Sequence, residues 1–470
     1  MLRPVPAARE PVRELQLLTG YPRTERSGVN TAVAVGNRAQ GISAARIAEL
    51  LTEARTRTLL LIAPVSEADL GRQHDPLMGP IIWDLGHIAH FEELWLLANL
   101  EGEVRFGEMP GMFNPFENPR AVRHQLELPT LEDTLAHLAD VRVRVLSVLM
   151  QIDLDSDRPL LRDGYVYAMV LQHEYQHNET MLQALQLKLG DPYRAPRAIA
   201  FPAPTLKLAP GAMAGFAGGR VTIGTDDRTV AYDNERPRHE VDLAPFRIDV
   251  APVTEHEYVA FMDAGGYRER AWWSDAGWAW LHEAQVEAPR YWRRADGGWR
   301  VRVMDRERPA GDRPVCHVCA HEAEAYARWQ GKRLPTEAEW EVAATWDPER
   351  GRARAYPWGD AAPTPLLANL DQLAFDTAPV GTYPANRSPL GCYGMIGDVW
   401  EWTASAFGPY PGFTAFPYPE YSEVFLGDEY RVLRGGSWAT RTGAVRGTFR
   451  NWDYPIRRQI FAGFRCARDG

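Results

Sequence analysis

The chain has few cysteines, no long apolar run and less positive than negative charge, and each shortage closes off a class of function. Four cysteines in 470 residues (Cys316, Cys319, Cys392 and Cys466) are too few for a disulfide framework, which points to a reducing cytoplasm. Cys316-His317-Val318-Cys319 has CxxC spacing, but no second such pair exists to complete a zinc site, so it reads as structural or incidental. No run of about 18 apolar residues is present, which argues against a membrane span. Residues 1–40 lack the apolar core of a secretory signal. They are polar and rich in Arg, Pro and Gly, and a disordered extension is expected there. With 62 acidic against 52 basic residues the formal net charge is −10, which disfavours a nucleic-acid partner. There is no internal repeat and no low-complexity tract.

What is present fits an ordinary globular protein. Hydrophobic residues make up 45% and charged residues 24%. The length suggests two or three domains. The sequence holds 16 Trp, 39 Gly and 36 Pro, which suggests a loop-rich region held by aromatic packing.

Apolar residues recur at helical spacing over residues 42–64, 81–100, 131–152 and 163–189. Four such helices with short or medium connections predict an antiparallel bundle over residues 41–190. Residues 191–210 form a Pro-rich linker. From residue 211 the texture changes to short strand-like stretches at 219–224, 246–250 and 430–435, punctuated by Gly and Pro. A helix at 321–330 precedes the stretch Gly331 to Glu341, which opens a second. Residues 211–470 therefore read as a mixed α+β domain with much irregular structure.

The chemistry gathers on the last helix of the bundle, in His173-Glu174-Tyr175-Gln176-His177-Asn178-Glu179. Two imidazoles four residues apart lie on one helix face, one turn above the other. That face continues to Met169 and Met181, so the pair is on the buried side, where unpartnered imidazoles would be costly. Neutral imidazole is a common ligand for iron, zinc and nickel, and a third ligand must come from elsewhere. His87, flanked by Trp83 and Phe91 on the apolar face of the second helix, supplies it.

Two metal readings compete. His173-Glu174-Tyr175-Gln176-His177 matches HExxH, where Glu174 would be the base of a zinc protease. It leaves His87 and the whole second half without a purpose. In the other reading His87, His173 and His177 form a facial site with open positions, suited to iron handling O2 and substrates together. His90 is then a satisfied polar residue. Glu179, on another face, is a capping residue or a carboxylate behind the ligands.

At this point the residues resemble known families. The bundle is similar to DinB-like domains, and its HxxxHxE signature resembles the iron-dependent sulfoxide synthases of ergothioneine biosynthesis. The second half resembles the formylglycine-generating-enzyme fold, related to C-type lectins. That likeness is carried by Arg333-Leu334-Pro335-Thr336-Glu337-Ala338-Glu339-Trp340-Glu341, Tyr356-Pro357-Trp358-Gly359, Gly397-Asp398-Val399-Trp400-Glu401-Trp402-Thr403, Arg434-Gly435-Gly436-Ser437-Trp438 and Gly463-Phe464-Arg465-Cys466. The catalytic cysteine pair of a formylglycine-generating enzyme is missing from residues 448–458, so that chemistry is excluded.

The resemblance to the sulfoxide synthases implies Fe(II) on His87, His173 and His177. It implies that Gln176, Asn451 and Trp452 hold hercynine (Nα-trimethylhistidine). Arg120 and Arg123, with Asp453 and Arg457, would hold γ-glutamylcysteine. Tyr418 would supply a proton while sulfur attacks the imidazole C2, and Tyr421 would be a packed loop residue. The expected reaction is O2-dependent coupling of hercynine to the thiol, giving a sulfoxide. The loop Phe113-Asn114-Pro115-Phe116 and Asn178 depart from the family pattern. They leave room for a sibling, the selenoneine synthases, which use a selenosugar as donor on the same iron site. Other readings are a ligand-binding module without catalysis and a DinB-like zinc or nickel thiol transferase.

Overall fold

In a computed structural model, the chain is described over residues 42–101, 111–195 and 198–470. The expected extension at residues 1–40 lies outside the described residues. The chain divides into two compact units, split near residue 196.

Four long helices build the first unit: α1 (Ala44–Ile62), α2 (Ile81–Glu93), α3 (Leu131–Leu149) and α4 (Tyr165–Gln186). Ser43 caps α1 by accepting from Arg46 N, and Thr130 caps α3 by accepting from Asp133 N. Pro80 precedes α2, and Gly164, at φ 72°, opens α4. Helix α2 is buried at every position except His90, so it is the central element, as an all-round buried helix must be.

The expected second helix, 81–100, is broken in the structure. After Glu93 the chain makes a π turn over Leu94–Ala98 and ends with a last turn at Asn99–Glu101. An unbroken apolar sequence gives no signal for such a widened turn, which displaces later side chains around the axis.

A helix buried on all sides needs partners for its charges. Glu92 accepts from Arg55 Nη2 at 2.7 Å and from Arg142 Nε at 2.6 Å. Glu93 accepts from Arg144. Glu174 of α4 accepts from Arg55 Nε at 2.9 Å, Arg142 Nη2 at 3.1 Å and Thr58 Oγ1 at 2.7 Å. Two arginines and two glutamates thus knit all four helices together.

The second unit has little regular structure and several small sheets. β1 (Met213–Phe216), β4 (Phe246–Asp249) and β14 (Ala467–Asp469) form one antiparallel sheet in the order β1-β4-β14. The chain end thereby closes onto the start of the unit. β2 (Gly219–Ile223) pairs with β3 (His239–Leu243), β5–β7 (Trp292–Ala295, Gly298–Val303, Arg306–Pro309) form a meander, and β8 (Trp346–Asp347) pairs with β9 (Arg352–Ala353). A four-stranded sheet runs β12-β11-β10-β13, from β10 (Trp400–Phe407), β11 (Gly427–Arg434), β12 (Asn451–Asp453) and β13 (Ala462–Gly463).

The motifs singled out in the sequence form the buried polar frame of this unit. Thr336 and Glu339 make the capping box of the helix Glu337–Thr345. Trp340 Nε1 donates to Glu401 at 2.7 Å, and Arg465 clasps the same carboxylate at 2.7 and 2.8 Å. Glu341 accepts from Arg434 at 2.6 Å. All four cysteines are free and buried. The architecture is the expected one, a helical bundle followed by a mixed α+β domain.

Candidate metal centre and substrate residues

Helices α2 and α4 bring His87, His173 and His177 together, with one ring nitrogen from each within 4.8 Å of the others. Ring centroids are 5.0 Å apart for His87 and His173, 4.8 Å for His87 and His177, and 4.5 Å for His173 and His177. His87 Nδ1 donates to Phe113 O at 2.7 Å. A carbonyl only accepts, so the proton is on Nδ1 and the Nε2 lone pair is free to bind a cation. That Nε2 faces His173 Nε2 at 3.1 Å. His177 Nδ1 donates to Asp84 Oδ1 at 3.0 Å, which leaves its Nε2 for the centre as well.

The rings are held from the side. Trp83 stacks on His87 at 4.9 Å and 11°, and Phe91 stacks on His173 at 3.6 Å and 11°. Burial, then the neighbouring His177, pushes the His87 imidazole well below its usual pKa. The same causes act on His173, with His87 adding to them. Both rings are therefore neutral at physiological pH, the state in which imidazole binds metal. One buried and two part-buried imidazoles, with ring nitrogens that converge, offer a cation three nitrogen donors. The donor set thus fits a divalent transition metal bound by nitrogen, with further positions open.

Glu174 is turned away from this centre. Burial pulls its carboxyl up, but Arg55 and Arg142 outweigh that and hold it below the ordinary range. A carboxylate locked between two arginines cannot serve as a base on metal-bound water, and the protease reading fails on that geometry. His90 and Glu179 are outside the three-His group.

The remaining expected residues fall on both units. Arg120 and Arg123 lie on a short 3-10 helix, Arg120–Gln125. Arg120 is half-buried. Arg123 is buried, and its guanidinium carbon lies 3.2 Å from the Trp83 ring centroid. Arg123 Nε donates to Asn118 O at 2.9 Å. Burial brings its pKa down to about 10, against the pull of Asp84. Gln176 is half-buried on α4, between the two histidines in sequence.

In the second unit, Asn451, Trp452 and Asp453 form β12. Trp452 stacks on Phe407 at 4.2 Å and 10°, with Phe425 at 5.6 Å and the edge of Tyr421 at 6.1 Å. Asn451 Oδ1 accepts from Trp452 N, which leaves its amide N–H groups to donate. Asp453 pairs with Arg457 at 3.3 Å, and Tyr430 donates to the Tyr454 hydroxyl next to it. Tyr421 stacks on Tyr232 at 4.2 Å, whereas Tyr418 meets Tyr421 edge-on at 6.1 Å. Sequence reasoning passed over Asp84, Trp83 and Phe91 as orienting groups. Their signal was their spacing of −3, −4 and +4 from His87, together with a charge on an otherwise apolar helix.

Comparison with known proteins agrees with this layout. Residues 50–181 match the DinB superfamily, and residues 202–470 match the sulfatase-modifying factor enzyme 1-like domain. A hercynine oxygenase of Mycolicibacterium thermoresistibile is 48% identical over 460 residues, covering 93% of this chain and 97% of that protein. The hercynine oxygenase of Mycobacterium tuberculosis is 46% identical over 426 residues, covering 89% and 97%. A formylglycine-generating enzyme of Thermomonospora curvata is 32% identical and covers 55% of this chain, so it shares one part of it. With both domains in the same order, and close identity along almost its whole length, the chain belongs to the hercynine oxygenase family.

Proposed function

We propose that this protein joins the imidazole C2 of hercynine to the sulfur of γ-glutamylcysteine, using O2 and Fe(II), in ergothioneine biosynthesis. The observation that carries the reading is the cluster of three imidazoles, one buried and two part-buried, in a chain of this family. The balance is simple. One C–H and one S–H are lost, one C–S bond forms, one oxygen atom ends on sulfur, and the other leaves as water.

Iron, if bound by His87, His173 and His177, would activate O2 for a four-electron reduction whose electrons come from the two substrates. The chain's own residues do the rest. Trp452 offers an aromatic face to the quaternary ammonium, which has no hydrogen to donate. Asn451 and Gln176 complete the hold on hercynine. Arg120, Arg123 and Arg457 provide guanidinium forks for the donor's carboxylates, and Asp453 takes its amino group. Tyr418 is the proton donor. The four free, buried cysteines support work in a reducing cytoplasm. Among the described residues, no helix is long and apolar enough to cross a membrane.

The test is anaerobic loading with Fe(II), followed by O2 uptake with hercynine plus γ-glutamylcysteine, cysteine or a selenosugar in separate samples. The expected result is uptake with γ-glutamylcysteine and a product mass equal to hercynine plus donor plus oxygen minus two hydrogens. Uptake only with the selenosugar moves the protein to C–Se chemistry. No uptake by protein that holds iron overturns the substrate assignment.

A further inference from the structure

Helix α2 supplies His87 to the three-His cluster and also restrains all three rings. Trp83 stacks on His87, Phe91 stacks on His173, and Asp84 accepts from His177. Two of these restraints are apolar walls. The third is a carboxylate only 2% exposed.

Within the fold, the Arg123 guanidinium answers that charge through space. Among the described residues, Asp84 Oδ2 has no hydrogen-bond partner. A buried carboxylate with one unsatisfied oxygen is costly. Asparagine could accept the same hydrogen bond from His177 Nδ1 without burying a charge.

A metal changes the balance. Three neutral imidazoles bring no negative charge to a divalent cation. Asp84 brings one, a single imidazole away. It fixes the proton on His177 Nδ1, turns Nε2 towards the centre and makes that nitrogen more electron-rich.

We infer that Asp84 is a positioning residue of the metal centre, holding His177 in its binding tautomer and lending the site its negative charge. The inference rests on the three-His centre and not on the identity of the substrates. Asp84→Asn and Asp84→Ala are made in the full chain. Metal-free unfolding in urea, Co(II) titration by visible absorbance, and the Fe(III)/Fe(II) potential of the iron-loaded protein are then measured.

Asp84→Asn should leave the metal-free protein at least as stable as the parent, yet bind Co(II) about 10- to 100-fold more weakly. Its iron potential should rise, because the charge that favours Fe(III) is gone. Asp84→Ala should bind no better and shift the Co(II) bands, since His177 is then free to turn. Parent-like affinity and potential in Asp84→Asn overturn the inference. So does a parallel loss of metal-free stability, which would make Asp84 a residue of the fold. A parent protein that binds no Co(II) overturns the three-His centre itself.

Discussion

At the residue scale, the position next to a ligand matters as much as the ligand. A Cβ on Gly86 would lie 2.2 Å from Phe113 Cε1 and 2.4 Å from Cζ. Glycine lets the Phe113 ring lie against the backbone of α2, and the Phe113 carbonyl then reaches His87 Nδ1. Gly86→Ala should push this segment away, costing about 1–3 kcal/mol by overpacking, and weaken metal binding by freeing His87. Urea unfolding and Co(II) titration read the two effects. Parent-like values in both would show that the loop yields without cost. The histidine pair was legible because an i, i+4 spacing has one geometric meaning on a helix. The purpose of Gly86 was not, since its neighbour lies 27 positions further along.

At the element scale, periodicity marks helices well and says little about what buried charges do. Arg55, Glu92, Arg142 and Glu174 come from four helices, and each looks like an ordinary helical charge in sequence. In the structure all four are at most 2% exposed and bonded to one another. Removing one partner of such a set leaves charge buried without compensation. Glu174→Gln should therefore destabilise the metal-free protein by roughly 3–5 kcal/mol, read as a shift in urea midpoint. A catalytic base at this position predicts a stable but inactive variant, so an unchanged midpoint would reopen that role. The HExxH match, already the weaker reading in the sequence, fails because a motif fixes which helix face a residue occupies and not what waits across from it.

At the scale of the whole molecule, stability should depend on pH through groups the chemistry does not use. Burial holds His317 down to about 3 and His321 to about 4, against an ordinary 6.5. The unfolded chain takes up these protons first, so stability falls as pH drops below about 6.5. Asp398 acts in the opposite sense. Burial raises it from 3.8 to about 6, so the folded state binds its proton first, and this contribution improves as pH drops through 6. His317→Asn, which tolerates the positive φ of 67° at this position, should flatten the acid loss between pH 6.5 and 4. Asp398→Asn should steepen it. Urea midpoints of the full chain at several pH values check both signs, and an unaltered slope in His317→Asn would remove that residue from the acid response.

The sequence by itself determined the helical bundle, the change of texture near residue 200, the three histidines that cluster and the family to which they point. These are local patterns, set by spacing along one chain and by residue type. Only the tertiary structure decided that α2 is the central helix, that Asp84 orients His177, that Glu174 belongs to an ion cluster, and that Trp83 carries Arg123 on its face. Each of those depends on which residue lies opposite which once distant segments pack, and no periodicity along the chain encodes that.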